Sequence, residues 1–113
     1  MNNKITDFIP QNLKIEEVYI YYDRPLLFAC VDKLGHIYIA ILAEEKDDKE
    51  IWLYAPISIQ KFQSARSGRI DTKNIFESAE SGYIYEVDVP FDDSQELSTE
   101  VISCDQIPSK WLP

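Results

Sequence analysis

From Lys14 to Tyr22 the chain reads K-I-E-E-V-Y-I-Y-Y, dense in β-branched and aromatic residues that suit a pleated surface, which predicts a first strand. Asp23-Arg24-Pro25 breaks it, because proline cannot donate to a ladder inside a sheet. A second apolar run, Leu26 to Asp32, ends at Lys33-Leu34-Gly35, where glycine can take the positive φ of a tight hairpin. His36 to Ala43 predicts a third strand, with Ile37, Ile39 and Ile41 on one face and Tyr38, Ala40 and Leu42 on the other. Apolar residues on both faces require something to pack on each side. Glu44 to Lys49, E-E-K-D-D-K, reads as a solvated hairpin tip, and Glu50 to Tyr54 as a fourth strand that Pro56 stops.

The period then changes. Ser58 stands where a helix N-cap belongs, ahead of Ile59 and Phe62, with Gly68 marking the end of a short helix. Asp71 can cap a second short helix that turns Ile75 and Phe76 inward. Tyr83 to Val89 sets Tyr83, Tyr85, Val87 and Val89 against Ile84, Glu86 and Asp88, the clearest alternation in the chain, and Glu100 to Cys104 adds a short last strand. Hairpin-length connections within the first four strands demand antiparallel neighbours. The expected fold is α+β: a strongly curved antiparallel sheet of five to six strands, with a partly closed barrel as its limiting form. Two short helices are inserted between strands 4 and 5 to cover one side.

The length of 113 residues fits a single domain, with its core at about 13–105 and terminal segments at 1–12 and 106–113. With 45% hydrophobic and 12% aromatic residues the chain can bury enough apolar surface to offset the entropy of ordering, so a disordered acidic tail is excluded. The longest mostly apolar run, Ile37 to Ala43, is far short of the roughly 20 residues of a spanning helix. No signal-peptide pattern opens the chain, which leads us to expect a cytoplasmic protein whose Cys30 and Cys104 stay reduced.

The quoted segments form a recognisable set. Tyr22-Asp23-Arg24-Pro25-Leu26-Leu27-Phe28, Gly35-x-x-Tyr38, Trp52-Leu53-Tyr54-Ala55-Pro56-Ile57-Ser58, Arg66-Ser67-Gly68-Arg69-Ile70-Asp71 with Phe76, and Gly82-Tyr83 together resemble a small bacterial domain family of unknown function, over about residues 13 to 90. The resemblance implies no reaction, cofactor or partner.

Candidate chemistry is sparse. The one histidine, His36, sits at a predicted hairpin tip and reads as a lone exposed imidazole. Cys30 lies in an apolar strand with no cation near it in sequence, so its thiol should be inert. Neither a phosphate-binding loop nor a nucleophile elbow is present, and with three glycines a phosphate cradle has little to be built from. Asp88, Asp92 and Asp93 lack the alternating ligands and glycine of a calcium loop, and one histidine with two distant cysteines falls short of a zinc site. No cofactor or metal is expected.

Charge is the most informative feature. The chain carries a formal −9, yet Ile57 to Phe76 holds Lys61, Arg66, Arg69 and Lys73 against Asp71 alone. From Glu77 to Asp105 there are nine acids and no Lys or Arg. An acidic surface steers basic partners and repels polyanions, so the basic segment reads more naturally as pairing with the chain's own acids than as a nucleic-acid patch. Acidic loops can also serve solubility alone. Trp111, in an otherwise polar tail, either folds back on the core or anchors another chain. The functional expectation is a non-catalytic protein-binding module, antitoxin-like or immunity-like, engaging a basic protein through Glu86, Asp88, Asp92, Asp93 and Trp111. The alternative is a small enzyme or ligand-binding barrel that uses carboxylates and tyrosines in a pocket.

Overall fold

The computed structural model describes residues 10–65, 72–77, 79, 82–92 and 94–111. After a 3-10 turn at Pro10–Asn12, the chain forms β1 (Lys14–Tyr21), β2 (Pro25–Val31), β3 (Ile37–Glu45) and β4 (Lys49–Ile57). The helices α1 (Ile59–Ala65) and α2 (Thr72–Glu77) follow, then β5 (Tyr83–Pro90), β6 (Ser98–Ser103) and two final 3-10 turns at Cys104–Gln106 and Ser109–Trp111. All six strands join one sheet in the order of the chain, each antiparallel to the next. Both inserted helices lie between β4 and β5, as the pattern predicts. β1 and β6 remain the two edges, so the sheet curves without closing into a barrel.

Local chemistry accounts for most boundaries. Asp23 takes a φ of 64°, which aspartate tolerates better than most residues, and Pro25 begins β2 at the position a proline can occupy. Gly35 has a φ of 91° at the β2–β3 turn. Ser58 caps α1, its Oγ accepting the Lys61 amide at 3.1 Å. The expected caps at Gly68 and Asp71 lie outside the described residues.

One boundary departs from expectation: β4 runs through Pro56 to Ile57 instead of stopping. β5 accompanies β4 only as far as Tyr54, opposite Tyr85, so beyond Tyr54 β4 has one open flank, where a residue lacking an N–H costs no ladder bond. Three register shifts in β1 break up that edge, whose Ile15, Val18 and Ile20 are exposed.

The core is double, as the two-faced β3 requires. One cluster gathers Leu27, Ala29, Ile39, Ile41, Leu53, Ala55 and Ile84 beneath Ile75 and Phe76 of α2, with Phe62, Ile107 and Trp111 packed against it. Burying Phe76 completely is worth roughly 1.5–3 kcal/mol relative to exposure. The opposite face carries Phe28, Cys30, Tyr38, Ala40, Tyr85 and Val87, supported by Trp52, Tyr54 and Tyr83. Leu13, just before β1, and Leu97, just before β6, both reach this second cluster. The residues leading into both edge strands therefore help to cover the aromatic face.

Candidate functional site

The alternation of β5 sends Glu86 and Asp88 to the same face as Ile84. In register, Glu86 lies opposite Glu100 of β6, and Asp88 opposite Ser98. Lys49 of β4 reaches Asp88, Nζ to Oδ2 at 2.7 Å, which raises the lysine above its ordinary pKa. No other described cation meets these acids, and Asp88 Oδ1 is buried without a hydrogen-bond partner among the described residues. Burial, then the adjoining Asp88 carboxylate, then the charge of Glu100 push the Glu86 carboxyl up, against the weaker pull of Lys49. The shift reflects burial first and the neighbouring acids second.

The remaining acids differ. Asp92 begins the β5–β6 connection, where its Oδ1 accepts the Ser94 amide at 2.9 Å and the Ser94 hydroxyl at 2.8 Å, which lowers its pKa. Asp93 lies outside the described residues. Trp111 folds back on the core and donates its Nε1–H to Glu44 Oε1 at 2.8 Å. That bond, opposed by burial and assisted by Lys110, holds the Glu44 carboxyl below its usual range. Glu44, Ile51 and Asp88 are register partners across β3, β4 and β5, so the Trp111 contact sits on the acidic face, two strand spacings or about 10 Å from Asp88. Sequence reading left Glu44 and Glu100 out of this group. The alternation in β6 could have indicated Glu100; the bulge between Leu42 and Glu44 hid the facing of Glu44.

Of the expected basic patch, Lys61 on α1 contacts Asn74 Oδ1 at 3.3 Å, Lys73 is exposed on α2, and Arg66 and Arg69 fall outside the described residues. Neither Lys61 nor Lys73 pairs with the β5 acids.

At the opposite end of the sheet, a cleft of about 330 Å³ is lined by Gly35, His36, Ile37, Tyr38, Pro56, Ile57, Ile59, Tyr83 and Tyr85. His36, expected to stand alone, is held by Asp32: its Nδ1 is 2.9 Å from Oδ2, and Asp32 Oδ1 accepts the amides of Leu34 and His36, each at 2.9 Å. Burial raises the Asp32 carboxyl, but these donors outweigh it and hold it below the usual range. The correction has a simple cause: the partner is four residues upstream, across a turn that the sequence does show but whose side-chain direction it does not.

Cys30 is buried and its thiol is pushed up to about 12 by burial and the nearby Asp32 charge, which makes it inert at neutral pH. Both cysteines are free thiols, Cys30 buried and Cys104 half-buried. Among the described residues no group of three or more His, Cys, Asp or Glu is placed to hold a metal, and no helix is long and apolar enough to cross a membrane.

Fold and charge together define an α+β domain built on one antiparallel sheet, with Glu86 and Asp88 on one face of β5 and an aromatic cluster on the other. The chain belongs to the family of unknown function DUF6575, whose model matches residues 4–113. Neither a curated protein nor a solved structure matches it significantly.

Proposed function

We propose that this domain is a non-catalytic protein-binding module, of an antitoxin-like or immunity-like kind, that engages a basic partner through the β5–β6 face. The observation that carries the reading is the grouping of Glu86, Asp88 and Glu100 on one side of two paired strands with Lys49 as the only described counter-charge. A partner lysine or arginine placed there would relieve repulsion already present in the free domain, and complementary charge also steers encounter and selects the partner. The formal charge of −9 adds a long-range attraction for basic surfaces. Two unpaired thiols suit the reducing conditions of a cytoplasm.

The test is an NMR titration of the intact chain with a lysine-rich peptide at low and raised salt. Saturable shifts confined to β5, β6 and the Asp92 loop, lost on raising salt and weakened by Glu86→Gln and Glu100→Gln, are expected. Shifts spread evenly over the acidic surface, or insensitive to both substitutions, would refute the reading.

A further inference from the structure

We propose that the cleft between the β2–β3 turn, the end of β4 and the start of β5 binds an uncharged planar nitrogen heterocycle of nucleobase or nucleoside size. This goes beyond the protein-binding reading and is independent of it, since the cleft uses Tyr83 and Tyr85 on one face of β5 whereas alternation sends Glu86 and Asp88 to the other.

Shape comes first. A volume of about 330 Å³ stands at the small end of ligand pockets, enough for one ring system with a modest substituent. Tyr83 and Tyr85 have ring centroids 5.5 Å apart and planes at 89°, and Tyr38 meets Tyr85 at 6.2 Å and 66°. Tyr38 and Tyr85, at 5% and 3% exposed, form the buried backing, so the half-buried Tyr83 ring, held perpendicular to Tyr85, is the face on which a flat ligand can stack. An aromatic face of this kind selects planarity. Pro56, Ile57 and Ile59 supply the apolar wall, and Ile59, at 57% exposed, is a large apolar side chain left at the lip of the cleft by α1.

Polarity comes next. The Asp32 carboxylate, its side chain only 11% exposed, engages His36 Nδ1. In the neutral imidazole Nδ1 must then carry the proton, which leaves Nε2 as an acceptor. Nε2 has no hydrogen bond to a described residue, and His36 is itself part of the cleft wall. The turn that holds it is pinned by Asp32, whose carbonyl accepts the Gly35 amide and whose amide donates to the His36 carbonyl, both at 3.1 Å. In the neutral ring this acceptor is oriented before a ligand arrives, which lowers the entropic cost of binding. It matches a ring N–H.

Charge settles the class. Among the described residues the lining contains no Lys, Arg, Asp or Glu, so a phosphate or carboxylate would meet no ammonium or guanidinium of theirs there, within a chain of formal charge −9. A nucleoside should therefore be preferred to its monophosphate.

The test titrates the intact chain with the common ribonucleosides and their 5′-monophosphates, following the ring resonances of Tyr38, Tyr83 and Tyr85 by NMR. At least one nucleoside should shift them saturably and bind more tightly than its monophosphate. Methylating the donor ring nitrogen of that nucleoside should weaken binding about fivefold or more, as should His36→Phe at the exposed turn. Tyr83→Leu should weaken it by a similar factor through lost stacking, about fivefold or more. The ligand-side comparison needs no protein variant, so a folding defect cannot obscure it. No shift at millimolar nucleoside, tighter binding of the monophosphate, or indifference to both methylation and His36→Phe would overturn the proposal.

Discussion

Arg24→Ala is the sharpest probe of how this sheet manages a charge inside its core face. Glu50 is 6% exposed on β4, hydrogen-bonded to Trp52 Nε1 at 3.0 Å and to the Arg24 guanidinium, which also lies 3.4 Å from Glu45. Removing one partner of a fully buried ion pair costs about 3–5 kcal/mol, because the survivor is left uncompensated. Two features reduce that here. The Arg24 side chain is 44% exposed, so water can enter where it stood, and the Trp52 N–H still binds Glu50. The expected loss is about 1.5–2 kcal/mol, the low end of the range for hydrogen bonds to charged groups.

The sign of the pH dependence follows from Glu50. Burial raises its carboxyl, but hydrogen bonds from Arg24 and Trp52, with the charge of Arg24, outweigh burial and hold it below the usual range. A depressed carboxyl contributes stability above its unfolded pKa and loses it as pH falls through the folded one. The cost of Arg24→Ala should accordingly be full at neutral pH and shrink in acid. Urea unfolding followed by tryptophan fluorescence at both pH values measures it, and a cycle with Glu50→Gln isolates the pair. A cost below about 0.3 kcal/mol, within the error of such cycles, or one unchanged in acid, would refute the argument.

Glu86→Gln should behave oppositely, stabilising the domain by about 0.2–1 kcal/mol at neutral pH by removing like-charge repulsion across β5 and β6. Because the Glu86 carboxyl is raised, that gain should disappear as pH falls below the unfolded carboxyl pKa, which a pH series of urea midpoints would show. Trp52→Ala should cost about 2–3 kcal/mol, at or just below the roughly 3–5 kcal/mol of a buried aromatic-to-alanine change, since Trp52 is only half-buried against Phe28 at 5.7 Å; calorimetry or urea unfolding measures it. Native-state alkylation read by mass spectrometry should modify half-buried Cys104 before Cys30, and equal rates would contradict the burial of Cys30.

Much of the fold was legible because its signals are local. Period-2 alternation in Tyr83–Val89, apolar residues on both faces of Ile37–Leu42, the Gly35 turn and the Ser58 cap each act within a few residues, and each appears where the pattern places it. Short connections then left antiparallel pairing as the available arrangement. The continuation of β4 past Pro56 was not legible, because it depends on where β5 ceases to run alongside.

The candidate sites divide along the same line. Composition alone revealed an acidic final third, and alternation alone put Glu86 and Asp88 on one face. Their isolation from every described cation but Lys49, the approach of Trp111 to Glu44, the Arg24–Glu50–Trp52 group and the tyrosine cleft around His36 all join residues distant in the chain. Local sequence governs backbone preference over a turn or a strand, whereas strand register, sheet coiling and the bulges of β1 and β3 choose which distant side chains meet. A one-residue change of register would send those side chains to the other face while leaving the hydrophobic pattern of each segment intact.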